Sequence, residues 1–395
     1  MNTLKTISFN HERALVRVDF NVPIDERGHV TDATRIVSAL PTINHILDDG
    51  GSCILMSHLG RPKGKDPKLS LSNIISTLES HLGKAVIFCS EVIGETAIAK
   101  AKALKQGEVM LIENLRFYDE EITGDEDFSK ALSELGTIYV NDAFGTAHRA
   151  HASTTTIAKF FDNKKCFGHL LSAEIEAIEK VMSTGDKPVL AILGGAKVSS
   201  KLTIIKNILP KVDHLIIGGG MAFTFIKAQG GSIGKSICED DKIPLALSII
   251  DLADEHGVKI HFPVDVRGGQ DFSNDTNQKV FPINEIPNQW EGMDVGPESE
   301  KKFDKVVSGS KTILWNGPLG VFEFPNFSKG TRALGDSIIK QTSRGAFSLV
   351  GGGDSVAAVK QFQFEKGVSY VSTGGGAMLE SLEGKTLPGI AAIIA

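Results

Sequence analysis

Ten short apolar runs, separated by segments long enough for helices, constrain this chain more than any other feature. Strand-length runs without polar alternation suit strands buried on both faces, and helix-length connections between them favour a parallel sheet covered by helices. In the first half the predicted strands are Ala14 to Val18, Ser52 to Met56, Glu108 to Ile112 and Thr137 to Val140. In the second half they are Val189 to Leu193, His214 to Ile217, Lys259 to Phe262, Thr312 to Leu314, Phe347 to Val350 and Ser369 to Val371. Between the halves, LLSAEIEAIEKVMSTGDKP carries apolar residues at helical spacing and ends in Gly185 and Pro188, a helix leading from one domain to the next. The expected architecture is α/β: two Rossmann-like domains, each a mostly parallel sheet flanked by helices, over residues 1–170 and 186–378, joined by an inter-domain helix and hinge at 171–185.

Ligands of open α/β sheets sit beyond the carboxyl ends of the strands, so the residues that follow each run carry the functional information. After the first-half strands come RVDFNVP, SHLGRP, ENLRF and NDAFGTAHRAHAS. Arg61, Arg116 and Arg149, with Arg35 at the start of TRIVSALPTI, make a cluster suited to bidentate binding of a phosphate or carboxylate. After the second-half strands come LGGAKVSSK, IGGGMAFTF, WNGPLGVFEF, VGGGDS and STGGGA. Glycine between a strand and a helix lets backbone N–H groups and the helix dipole approach phosphate oxygens, which points to a nucleotide-phosphate site. Composition follows the same division. Of 41 glycines, 29 lie after residue 170, whereas seven of the ten arginines lie before residue 150. Lys197 and Lys201, four apart, are expected on one face of the first turns of a helix after Gly194 and Gly195. Asp354 beside a triple glycine suits Mg²⁺, which takes one or two carboxylates alongside phosphate oxygens.

Other functional classes lose support. A net charge of −6 argues against a nucleic-acid binder. Four cysteines without C-x-x-C spacing suggest packing residues in a reducing cytoplasm. The amino terminus has no apolar signal core, and no stretch approaches a membrane span, so a cytoplasmic location without membrane contact is expected. GGSIGKS at 230–236 and LEGKT near the carboxyl terminus lack the first glycine of a phosphate-binding P-loop, and no dinucleotide fingerprint is present. His148 and His151 read as satisfied loop histidines rather than a metal pair, and LWNGPLGVFE reads as a nucleotide wall.

Taken in order, these nine strand-end motifs resemble phosphoglycerate kinases, from Arg17 to the closing LEGKTLPGI. The resemblance implies that the amino-terminal domain binds 3-phosphoglycerate or 1,3-bisphosphoglycerate through Asp19, Phe20, Asn21, Arg35, His58, Leu59, Gly60, Arg61, Arg116 and Arg149. It implies that the carboxy-terminal domain binds MgATP or MgADP through Lys201, Gly218, Gly219, Gly220, Gly292, Asn316, Pro318, Glu323, Gly351, Gly352, Gly353, Asp354 and Ser355. Gly292 would lie against adenine, Glu323 would meet the ribose and Asp354 would bind Mg²⁺. Arg35, Lys197, Lys201 and the turn Gly374, Gly375, Gly376 would surround the transferred phosphoryl group. Ser355 stands where many members have Thr, with the hydroxyl kept. The resemblance further implies a monomer that closes by hinge bending, and a segment 379–395 that returns to the first domain. The acceptor carboxylate is already ionised at pH 7, with a typical pKa near ~4, so the absence of a Ser/His or Cys/His couple fits the chemistry.

Overall fold

The computed structural model describes residues 2–395. The chain divides into two compact units, one running to Ile175 and joined by Thr386–Ala395, the other Glu176–Lys385.

The first unit is built on β1 (Arg13–Val18), β2 (Ser52–Met56), β3 (Val86–Cys89), β4 (Val109–Ile112), β5 (Ile138–Asp142) and β6 (Lys165–Phe167). All six are parallel, in the order β3-β4-β2-β1-β5-β6. Val16 pairs with Leu55 on one side and Val140 on the other. These residues join one core with Ile36, Ala39 and Ile43 of the helix Thr34–Asp48. Successive strand residues face opposite sides, and Leu15, Ile54, Met110 and Tyr139 are also fully buried, so both faces are covered. That is why these strands were readable as continuous apolar runs.

The second unit contains β7 (Val189–Leu193), β8 (His214–Ile217), β9 (Ser232–Ile233), β10 (Lys259–His261), β11 (Asp265–Gly269), β12 (Gln278–Pro282), β13 (Glu285–Ile286), β14 (Glu291–Val295), β15 (Thr312–Asn316), β16 (Phe347–Val350) and β17 (Tyr370–Val371). Its main sheet is parallel, ordered β10-β8-β7-β15-β16-β17. Trp315 and Leu190 lie in its core with Phe303 and Ile338 from the helices Pro297–Ser308 and Lys329–Thr342. A three-stranded antiparallel sheet, β12-β11-β14, and the parallel pair β13-β9 add a wall absent from the sequence-based expectation.

Each main sheet has one place where the crossovers change direction, between β1 and β5 and between β7 and β15. The loops leaving the carboxyl ends there are where an open sheet receives its ligand. The helix His169–Glu179 continues as a π-helical turn, Lys180–Thr184. Among the described residues, no helix is long and apolar enough to cross a membrane.

Candidate active site

In the first unit the carboxyl ends of β1, β2 and β4 deliver a cation cluster. Arg35 bonds both carboxylate oxygens of Asp19, at 3.2 and 3.1 Å, and the Asn21 carbonyl at 3.0 Å. Asn21 Oδ1 in turn accepts from the Gly60 N–H at 2.8 Å, and the Gly60 carbonyl accepts from Arg116 Nη1 at 2.7 Å. Asp19, Asn21, Arg35, Gly60 and Arg116 therefore form one hydrogen-bonded string. Arg61 and Arg149 are exposed beside it, and Phe20 and Leu59 turn their side chains into the core.

The cluster is electrostatically strained in a way that favours an anion. Arg116 is pushed down to about 10 by burial and by Arg17 and Arg149. His58 is held well below its ordinary range by burial, then by Arg17, Arg116 and Arg35. Arg17 Nη2 lies 3.2 Å from His58 Nδ1; a guanidinium only donates, so Nδ1 accepts and the neutral ring keeps its proton on Nε2. Cations crowded in a partly desolvated site are relieved by a multiply charged anion.

The second unit presents a cleft of about 420 Å³ beyond β7, β8 and β15, walled on its other side by the antiparallel sheet. Gly219, Gly220, Gly292, Pro318, Glu323 and Asp354 line it. A Cβ on Gly194 would stand 2.0 Å from the Pro318 carbonyl oxygen, so this crossing of two strand ends admits only glycine. On the far wall, a Cβ on Gly292 would meet Phe223 Cζ at 2.2 Å. Beside the cleft, Asn316 Nδ2 donates to the Gly351 carbonyl at 2.6 Å, while its Oδ1 accepts from Lys201 Nζ. Burial lowers the Lys201 pKa and the Asp354 carboxylate opposes that fall. Gly218 packs on Leu319, and Gly352 on the Asn316 amide. Ser355 Oγ accepts from the Gly317 N–H at 2.5 Å, so this hydroxyl braces the β15 loop. Gly353 and Gly376 begin helices and are exposed; Gly374 N–H bonds Ser372 Oγ at 3.1 Å, and Gly375 has a φ of +50°.

The Phosphoglycerate kinase family profile matches residues 4–385. The chain belongs to the phosphoglycerate kinase family. A phosphoglycerate kinase of Porphyromonas gingivalis is 51% identical over 99% of both chains, and a cytosolic phosphoglycerate kinase of Triticum aestivum is 46% identical over 100% of this chain and 98% of its own. The solved phosphoglycerate kinase structure from Coxiella burnetii matches with a TM-score of 0.92 at 39% identity, covering 99% of this chain and 98% of that one. That from Pyrococcus horikoshii matches with a TM-score of 0.82 at 30% identity, covering 100% and 98%.

Within this phosphoglycerate kinase fold, two expectations need correction. Lys197 and Lys201 do not share a helical face, because the helix begins at Leu202 with Lys201 as its preceding cap. Ser199 diverts the backbone: its N–H and hydroxyl both bond Glu239, at 3.0 and 2.5 Å. His151 also differs from a satisfied loop histidine. It is buried, 3.9 Å from Glu121, with its Nδ1 lacking a hydrogen bond, and it is held down to about 4 by burial and the neighbouring arginines. Trp315 is a fully buried core residue whose Nε1 donates to the Gly317 carbonyl at 2.9 Å; the residues after it make the cleft wall.

Three buried polar residues escaped the sequence reading. Arg17 donates to Ser153 Oγ at 2.8 Å as well as facing His58. Glu121 receives the Ser153 N–H and hydroxyl at 2.9 and 2.6 Å, the carboxylate counterpart of the buried guanidinium. Asn114 clamps the Leu59 backbone at both ends and accepts the Arg116 N–H at 3.0 Å. The available signal was a charge inside the apolar run ALVRV, which requires a buried partner.

Proposed function

We propose that this enzyme catalyses the reversible transfer of a phosphoryl group between MgATP and the carboxylate of 3-phosphoglycerate, giving MgADP and 1,3-bisphosphoglycerate, in glycolysis and gluconeogenesis. The observation that carries the reading is the pairing of a cation cluster at the carboxyl end of one parallel sheet with a glycine-built cleft at the carboxyl end of the other.

The small acid is assigned to the first unit. Arg35, Arg61, Arg116 and Arg149 supply positive charge and donors for its phosphate and neutral His58 a further donor, with Asp19 and Asn21 orienting Arg35 and Gly60. The nucleotide is assigned to the second unit, its base against Gly292, its ribose towards Glu323 and its phosphates towards Gly219, Lys201 and Gly353. Mg²⁺ arrives as part of the nucleotide substrate. The exposed Asp354 carboxylate on the cleft lining fits a hard ion that retains phosphate and water ligands.

The attacking carboxylate needs no base, so catalysis reduces to in-line positioning and neutralisation of charge on the transferring oxygens. Arg35 from one unit and Lys197 and Lys201 from the other supply that charge, with the Gly374–Gly376 turn adding backbone donors. Transfer requires the two bound substrates to be brought together with water excluded, a hinge-bending step, in a cytoplasmic monomer. The test is a coupled assay of purified protein with MgATP and 3-phosphoglycerate: ADP formation that depends on both supports the reading, and none overturns it.

A further inference from the structure

The outer rim of the nucleotide cleft carries a device that the assignments above leave unused. Between β11 and β12 the chain turns through residues 270–277, and this hairpin tip contributes Phe272 to the cleft lining although that side chain is 65% exposed. The tip closes on itself: Thr276 Oγ1 accepts from the N–H groups of Gln270 and Asp271 at 3.1 and 3.0 Å, and Asn277 Nδ2 donates to Gln270 Oε1 at 2.8 Å. Those bonds shape the turn but do not fix it against the opposite rim.

A pair of asparagines does, with Asn326 donating both bonds and Asn274 accepting both. The Asn326 N–H donates to Asn274 Oδ1 at 3.0 Å, and Asn326 Nδ2 donates to the Asn274 carbonyl at 2.8 Å. The Asn274 amide has one consistent orientation, because its Nδ2 donates to Asp275 Oδ1 at 2.8 Å while its oxygen takes a backbone N–H. Asn326 stands on the short turn Pro325–Phe327, anchored by the fully buried Phe327 and three residues past Glu323. Across the same junction the Phe272 and Phe324 rings meet with centroids 5.2 Å apart. The hairpin tip is thus strapped to the rim that carries the proposed ribose ligand.

We infer that Asn274 and Asn326 are positioning residues for the nucleotide, a clasp that holds Phe272 as a preformed apolar wall at the outer end of the cleft. The inference rests on the nucleotide reading of that cleft. A wall already in place spares the cost of ordering it when the base arrives, and a flat aromatic face suits a flat base. Neither asparagine is placed at the transferring phosphoryl group, so their effect falls on nucleotide affinity and not on the chemical step.

The experiment uses the full chain: steady-state kinetics with MgATP and 3-phosphoglycerate, and the MgADP Kd by calorimetry. Asn274→Ala and Asn326→Ala are each expected to raise the KM for MgATP and the Kd for MgADP about three- to tenfold, the worth of a net hydrogen bond. The double variant should lose more, and kcat and the KM for 3-phosphoglycerate should hold within twofold. An unchanged KM for MgATP in the double variant overturns the clasp. So does a loss that falls on kcat or on 3-phosphoglycerate. Failure of the nucleotide reading itself is seen without any variant, as wild-type protein that neither binds MgADP nor consumes ATP.

Discussion

The two units share an architecture yet build their sites from opposite materials. In the first, the string from Asp19 to Arg116 holds charged side chains close through burial and hydrogen bonds. In the second, the cleft owes its shape to positions where a side chain is missing, such as Gly194 against Pro318 and Gly292 against Phe223. Function in the first unit is therefore sensitive to removing charge, and in the second to adding volume.

That contrast can be broken by substitution. The largest effect is expected at Lys201, the side-chain cation among the nucleotide glycines: Lys201→Ala should reduce kcat by about 10²–10³, the scale of removing a transition-state donor. Near wild-type turnover would mean that the charge is carried without Lys201, by Lys197, Arg35 and the backbone donors. Next, Arg35→Ala should raise the KM for 3-phosphoglycerate by about 10–100-fold, as expected for a charge-assisted contact, and leave the MgADP Kd within twofold. The reverse pattern in calorimetry would exchange the roles of the units. Gly292→Ala, which places a methyl 2.2 Å from Phe223, should raise the KM for MgATP about tenfold through overpacking and leave that for 3-phosphoglycerate unchanged.

The smallest effect concerns pH. His151 in the first unit has a folded pKa of about 4, below its ordinary 6.5. As pH falls through that interval the unfolded chain takes up the proton first, so His151 costs stability progressively between about pH 6.5 and 4. Asp142, raised by burial to about 7, acts in the other direction, so the informative quantity is a difference. Between pH 7 and 5, His151→Gln should lose about 2 kcal/mol less than wild type in urea unfolding. Identical pH dependence would show that the histidine is not held neutral by burial and the arginines.

How much of this was legible in the sequence also differs between the units, for physical reasons. Strands covered on both faces, such as Leu15 and Leu314 occupy, leave continuous apolar runs. The antiparallel wall left no such trace: β12 buries only Phe281 of its five residues, and β11 ends in two glycines. The edge strands of the first sheet were missed likewise, β3 exposing Ile87 and β6 spanning three residues. Recurrent glycine after a strand pointed to the nucleotide cleft, whereas the partners that make Arg17 tolerable, Ser153 and His58, are 136 and 41 residues away and share no local pattern with it. Periodicity reports burial; it does not report which buried polar groups find each other.

The last helix, Pro388–Ile394, belongs to the first unit: the Gly389 N–H donates to the Ala147 carbonyl at 2.9 Å, and its own carbonyl accepts from Asn141 Nδ2 at 3.2 Å. The second unit is one uninterrupted stretch of chain, whereas the first is closed by two stretches with the whole of the second between them. During synthesis the first unit therefore cannot complete its packing until the second has been made. Excising Thr386–Ala395 would leave the chain of the second unit whole and strip Asn141 and Ala147 of their Gly389 partner.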